Sequence, residues 1–170
     1  MQQLTKSEKI HLSTTEISKR VKQHLKKEFP HCKFSVRSEY YSMGSSLHVS
    51  LIESDRKIIK PFNELSGLAI HQYTYDGRYT RENLENLQST KYHQLNQYRF
   101  NDEYEPDNWN NGVFLTQQGF NLLKRVSEIV QQYNYDDSDI QTDHFDVNFY
   151  FHLNLGTWDK PMVEVKQNGK

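Results

Sequence analysis

One segment near the C-terminus constrains the fold more than any other feature of the sequence. Between positions 145 and 155 every second residue is apolar, and these residues are Phe145, Val147, Phe149, Phe151, Leu153 and Leu155. The residues between them are Asp146, Asn148, Tyr150, His152 and Asn154. A period of two over six matches predicts a β-strand with one face in the core and the other toward solvent. The chain therefore needs a sheet that is covered on one side.

A helix near the N-terminus is predicted to provide such a cover. Ser13 and Glu16 have the spacing of a capping box, which predicts a helix that begins just after Ser13. Pro30 marks its end. The apolar residues of the segment recur at a spacing of four and are Ile17, Val21, Leu25 and Phe29. This spacing places them on one face of the helix.

A hairpin and a second long helix complete the predicted layers. Residues 33–38 and 46–51 alternate apolar with polar side chains, and Gly44 lies in the turn between them. Thr116 precedes an apolar stripe at helical spacing between residues 120 and 133. We expect one α+β domain over residues 1–170. Its N-terminal helix packs on the antiparallel hairpin, and its C-terminal helix and long strand join a mixed or antiparallel sheet.

The middle third of the chain gives weaker signals. Pro61 can open a short helix, and Thr80 can cap another one. The apolar residues of these helices are Phe62, Leu65 and Leu68 in the first and Leu84 and Leu87 in the second. Residues 92–100 fit either a strand or a loop, and residues 162–165 can pair back onto the sheet.

Composition and motifs argue against most enzyme classes. Cys32 is the only cysteine, so an internal disulfide cannot form. The seven glycines form no phosphate-binding loop and no nucleophile elbow. His31 and Cys32 are not expected to form a catalytic pair, because neighbours in a strand point to opposite faces. We therefore predict a non-enzymatic protein without a cofactor.

The sequence also bears on the compartment of the protein. The first 30 residues contain no apolar secretory segment, and no run of about 18 apolar residues occurs in the chain. These observations predict a cytoplasmic protein that makes no membrane contact.

Metal binding is a distant alternative. The aspartate-rich loop between residues 136 and 143 fails the EF-hand pattern, because it has no glycine at the sixth loop position and no carboxylate at the twelfth. A histidine site is more plausible if the strands of His48 and His152 are neighbours. These two histidines and a carboxylate could then converge, since Asp146 shares a strand face with His152 and His144 lies at the start of that strand. Such a site would make the protein a metal-dependent enzyme.

Charge is distributed unevenly along the chain. The formal net charge is −1, but basic residues dominate the first 60 positions and acidic residues dominate the rest. The candidate basic face consists of Lys19, Arg20, Lys22, Lys26, Lys27 and Arg37. It could bind nucleic-acid phosphates or an acidic protein surface. The candidate acidic and aromatic face, which could imitate phosphates, consists of Asp102, Glu103, Tyr104, Glu105, Asp107, Trp109, Asp136, Asp137, Asp139 and Asp143.

The hairpin region resembles a known family. Residues 29–38 read Phe-Pro-His-Cys-Lys-Phe-Ser-Val-Arg-Ser, and residues 44–46 read Gly-Ser-Ser. Over about residues 14–52 the chain is similar to the twenty-ninth of the large polyvalent protein-associated domains. His31 replaces the usual glycine of that family, and residues 51–56 depart from its usual turn. The resemblance implies a protein of phages, conjugative plasmids or related mobile elements, with no established catalytic activity.

Three functional hypotheses follow. The leading one is a mobile-element protein that binds and inhibits a host defence system, such as CRISPR-Cas or restriction. Its partner would be a defence protein or ribonucleoprotein complex. The alternative is a nucleic-acid-binding accessory protein of conjugation or replication, although the sequence pI of 6.7 is low for a dedicated binder. The third is the metal-dependent enzyme.

Overall fold

A computed structural model of the chain describes residues 12–75, 77, 80–106, 114–135 and 147–165. These residues form four α-helices: α1 (Thr14–Glu28), α2 (Gly67–Thr74), α3 (Arg81–Thr90) and α4 (Gln117–Gln131). The predicted capping box is present, since the Glu16 amide donates to Ser13 Oγ and the Ser13 amide donates to Glu16 Oε2. Thr80 and Thr116 cap α3 and α4, as predicted.

Five strands form one mixed sheet, namely β1 (Lys33–Tyr41), β2 (Gly44–Ser54), β3 (His93–Leu95), β4 (Tyr150–Leu155) and β5 (Val163–Glu164). The strand order is β1-β2-β4-β3, and β5 also pairs with β2. The β1–β2 and β3–β4 pairs are antiparallel, whereas β2 and β4 are parallel. This arrangement confirms the predicted α+β class.

The short strand β5 continues the line of β4 along β2. Leu51 of β2 pairs with Leu155, and Glu53 pairs with Val163, so the chain leaves the sheet between these two points and returns to it. Gly156 permits the departure, since its φ is +61° and an added Cβ would lie 2.6 Å from the Met162 nitrogen. The excursion projects Trp158 from the end of the sheet.

Two sequence predictions need correction. The strand predicted over residues 145–155 is observed over Tyr150–Leu155, because Asn134 and Asn148 tie residues 148 and 149 to the end of α4, while residues 145 and 146 lie outside the described part of the chain. The Asn134 amide donates to the Phe149 carbonyl at 3.2 Å, which diverts that carbonyl from the sheet. In the middle third, Pro61 opens only a 3₁₀ turn, and a separate helix α2 follows with Leu68 exposed.

Helices α1 and α4 lie on the same side of the sheet, where the apolar core is. Fully buried side chains come from α1, β2, β4 and α4, and include Ile17, Val21, Leu25, Leu47, Val49, Leu51, Leu123, Val126, Leu153 and Leu155. Arg125 of α4 forms a two-point ion pair with Glu28 of α1, which joins the two helices. The opposite face of the sheet carries polar and aromatic side chains.

Candidate functional site

Strand register builds a row of hydrogen-bonding side chains on the open face of the sheet, the face opposite α1. Gln94 of β3 pairs with Asn154 of β4, which pairs with Ser50 of β2, which pairs with Ser35 of β1. Paired residues project from the same face of a sheet. Amide and hydroxyl groups therefore cross four adjacent strands in a single line.

A second row lies two residues away and is built from two histidines and an arginine. His152 pairs with His48, and His48 pairs with Arg37. The two imidazole rings stack with centroids 4.5 Å apart and planes 11° from parallel. Burial and the neighbouring His48 lower the pKa of His152, so its uncharged form is favoured near neutral pH. Glu39 lies beside this row, with Oε2 3.4 Å from His48 Nε2.

Both rows line a polar groove with a volume of about 750 Å³, which also includes Tyr92, Thr157 and Trp158. Trp158 stands at the tip of a turn and is 83% exposed. Two backbone hydrogen bonds between Thr157 and Lys160, of 2.8 and 3.1 Å, close this turn. Within the described part of the chain, the side chains of Arg37, Gln94 and Trp158 have no hydrogen-bond or ion-pair partner. They are therefore available to a ligand.

A second groove, of about 390 Å³, continues from the polar groove around the edge strand β1. The two grooves share Ser35, Arg37 and Thr157. We call the second one the cationic groove, because its walls carry four basic side chains, namely Lys22, Lys33, Arg37 and Lys160. Asp159 is the acidic residue among its lining residues. Lys22 belongs to α1, so the cationic groove connects the open face of the sheet with the basic helix.

The structure separates the predicted basic residues into two positions. Five of them are exposed on α1, and none forms an ion pair with another described residue; they are Lys19, Arg20, Lys22, Lys26 and Lys27. Arg37 lies on the other side of the sheet. It meets the helix only through the cationic groove, where Arg37 and Lys22 line the same cavity.

The predicted acidic face is described only in part. Asp102, Glu103 and Glu105 are exposed, whereas Tyr104 is half-buried. The Tyr104 hydroxyl donates to the Leu115 carbonyl at 3.1 Å, and its ring packs on Phe120 with centroids 5.4 Å apart. Tyr104 therefore helps to hold this segment against α4. The other predicted residues lie outside the described part of the chain, and they are Asp107, Trp109, Asp136, Asp137, Asp139 and Asp143.

One condition for the predicted histidine metal site is fulfilled, namely the proximity of its two histidines. His48 and His152 are neighbours, but the nearby carboxylate is Glu39, while Asp146 and His144 lie outside the described residues. Among the residues that the structure describes, no group of three or more His, Cys, Asp or Glu side chains is placed to hold a metal ion.

The single cysteine lies in a different environment from the grooves. Cys32 is buried, and this burial raises the pKa of its thiol, which favours the less reactive protonated form. Its neighbour His31 is exposed.

The alternation of apolar and polar residues predicts that His48, His152 and Asn154 face away from the core, but it does not predict the grooves. The pairing of β2 with β4 joins residues about 100 positions apart, and no local pattern reports it. Trp158 was missed as well. Its only sequence signal is its place between Gly156 and Pro161, in a stretch rich in turn residues.

Comparison with known protein families identifies a match over more than half of the chain. The family model described as large polyvalent protein associated domain 29 matches residues 12–106. This range contains α1 to α3 and β1 to β3, and hence Lys22, Lys33 and Arg37, but not β4 or Trp158. No curated protein and no solved structure matches the chain. In the described part of the chain, every helix is too short or too polar to cross a bilayer.

Proposed function

The chain belongs to the large polyvalent protein associated domain 29 family and is thus a protein associated with phages and other mobile elements, and we propose that it binds nucleic acid without catalysing a reaction. The single observation that carries this proposal is the cationic groove, which joins the basic helix α1 to the open face of the sheet.

Local charge favours a phosphate ligand. Of the four basic side chains that line the cationic groove, Lys33 pairs with Glu53 at 2.6 Å, whereas Lys22, Arg37 and Lys160 form no ion pair with a described residue. Helix α1 adds further exposed cations beside Lys22. Phosphate recognition depends on the density of cations along one path, because each neutralised phosphate releases bound counterions. The formal net charge of −1 does not oppose this, since the field in a groove is set by the charges that line it.

A titration with charge-neutralised variants tests the proposal. Fluorescence anisotropy would follow a labelled oligonucleotide binding to the wild-type protein and to the double variant Lys22→Gln/Arg37→Gln. Removing one cation that binds a phosphate is expected to weaken binding about tenfold at low salt, so the double variant should bind about a hundredfold more weakly than the wild type. The control is Arg81→Gln, because Arg81 is exposed and lines neither groove. Absence of binding by the wild-type protein, or an equal loss in the control, would contradict the proposal.

Inhibition of a host defence complex is the second candidate function. Two exposed acidic residues favour it. Asp102 and Glu103 lie side by side, and their carboxylates form no ion pair with a described cation. Exposed carboxylates can imitate phosphates in the basic groove of a partner.

The second candidate is tested by affinity capture from a nuclease-treated host lysate, followed by mass spectrometry. Recovery of a defence complex by the wild-type protein, and its loss with Asp102→Asn/Glu103→Gln, would support inhibition. The matched control is Glu82→Gln, since Glu82 is an exposed carboxylate on α3. Recovery that is unchanged by the double variant would remove this candidate.

A further inference from the structure

We propose that the polar groove holds the unpaired bases of a single-stranded nucleic acid whose phosphates lie in the cationic groove. This inference rests on the proposed function and goes beyond it, because it specifies the strand state of the ligand and assigns the bases to a particular surface.

The amide row favours base edges as the ligand. Gln94 and Asn154 are paired across β3 and β4, and Ser50 and Ser35 extend their line across the sheet. Each amide offers a donor and an acceptor, which is the combination that base edges present. In a duplex the Watson–Crick edges are already paired, whereas in a single strand they are accessible to side chains.

Trp158 supplies a surface for stacking. It is 83% exposed, although its indole ring is largely apolar, and it borders the groove that contains the amide row. Two backbone hydrogen bonds close the turn that carries Trp158, so the backbone that presents the indole ring is held in place before any ligand binds. Stacking of one base on an aromatic side chain typically strengthens binding about tenfold or more.

The two grooves adjoin along the edge strand β1. A single strand that follows β1 can therefore keep its phosphates in the cationic groove while its bases extend over the open face, which measures about 14 Å from β1 to β3. Arg37 belongs to both grooves, and Lys33 and Lys22 continue the cationic groove toward α1. Bases on the polar side and phosphates on the cationic side match the amphipathic character of a single strand.

Trp158 can report directly on this contact. The chain has two tryptophans, so Trp109→Phe leaves Trp158 as the only one. This variant would be titrated with single-stranded DNA, single-stranded RNA and duplex DNA, each about 12 nucleotides long. At least one of the two single strands should quench the emission of Trp158, and the duplex should bind more weakly. Inorganic polyphosphate, which has no bases, should compete for binding without quenching.

Substitutions on the open face test the same point by affinity. Trp158→Ala should weaken single-strand binding about tenfold and leave duplex binding unchanged. The double variant Gln94→Ala/Asn154→Ala should also lower the preference for single strands. Tyr98→Ala is the control, since Tyr98 is 67% exposed and lines neither groove. All of these side chains except Asn154 are exposed, and circular dichroism would verify folding.

The two proposals fail in different ways. One possible result is that duplex and single strand bind equally, that the emission of Trp158 is not quenched, and that only the Lys22 and Arg37 substitutions weaken binding. In that case the protein binds nucleic acid, but the single-strand inference is overturned. If none of the oligonucleotides binds, both proposals fail. Quenching by single-stranded DNA alone, or by RNA alone, would support the inference and identify the sugar that the site accepts.

Discussion

At the scale of single residues, His152, which stacks on His48, is expected to make the stability of the fold depend on pH. Burial and the neighbouring His48 lower the pKa of His152 below its ordinary value of 6.5. Between this lowered pKa and pH 6.5 the unfolded chain binds more protons than the folded chain. Stability should therefore rise with pH across that window and decline as the pH falls below 6.5.

The variant His152→Asn tests this dependence. Thermal unfolding at intervals between about pH 5 and 7.5 should show a shallower decline on acidification for the variant than for the wild type. Three carboxylates with lowered pKa values titrate below pH 4.5 and therefore do not affect the comparison between about pH 5 and 7.5. They are Glu16, Glu28 and Glu164. Parallel pH profiles for the two proteins would contradict the assignment.

Glu164 should stabilise the fold through its carboxylate. Oε1 accepts hydrogen bonds from the buried amides of Ile58 and Ile59 at 2.9 and 3.0 Å, and Oε2 accepts one from Lys91 at 3.0 Å. Burial raises the pKa of Glu164, but these bonds outweigh burial and the pKa is lowered overall. Glu164→Ala leaves two buried amides unpaired and should lower the free energy of unfolding by about 2–4 kcal/mol.

Urea denaturation would measure the change for Glu164→Ala. Asp159→Ala is a suitable control, because Asp159 is an exposed carboxylate whose side chain accepts no hydrogen bond from a described residue. The proposed anchoring role is incorrect if the two variants have the same stability.

At the scale of elements, α4 depends on one close approach of backbone to backbone. Gly119 lies in its first turn, and an added Cβ would lie 2.6 Å from the Ile58 carbonyl oxygen. Gly119→Ala should therefore push the helix away from this segment and cost about 1–3 kcal/mol. Gly67→Ala in the first turn of α2 should be neutral or slightly stabilising, since no atom lies within 4 Å of its added Cβ. Chemical denaturation would compare the two variants, and similar losses of stability in both would contradict this packing.

The elements that could be predicted are those defined by local signals. Helices α1, α3 and α4 carry a cap residue and an apolar stripe, so neighbouring residues suffice to define them. The strands β1 and β2 extend beyond the predicted residues 33–38 and 46–51. At one end their pairing continues to the turn at Ser42 and Met43, and at the other end β2 continues to Ser54, where it pairs with β5. The three-residue strand β3 was not separable from a loop, since its existence depends on β4.

At the scale of the whole molecule, the α+β class follows from the sequence, but the shape of the site does not. Alternation shows that His152 and Asn154 face away from the core. It does not show that β4 lies beside β2, and this neighbour relation creates both rows of the polar groove. Likewise the sequence does not place Lys22 and Arg37 in one groove, since one belongs to a helix and the other to the far side of a sheet. They meet because β1 is an edge strand.

The central claim is that the cationic groove binds phosphates, and the salt dependence of affinity tests it most directly. The binding constant for a single-stranded oligonucleotide would be measured over a range of salt concentrations for the wild type and for a variant with Lys22, Lys33, Arg37 and Lys160 replaced by Gln. Because Lys33 is already paired with Glu53, the three other cations should give a logarithmic slope of about −2, and the slope should become shallower by about 0.7 for each of these three that is replaced. Equal slopes in the two proteins, or a wild-type slope near zero, would contradict the claim.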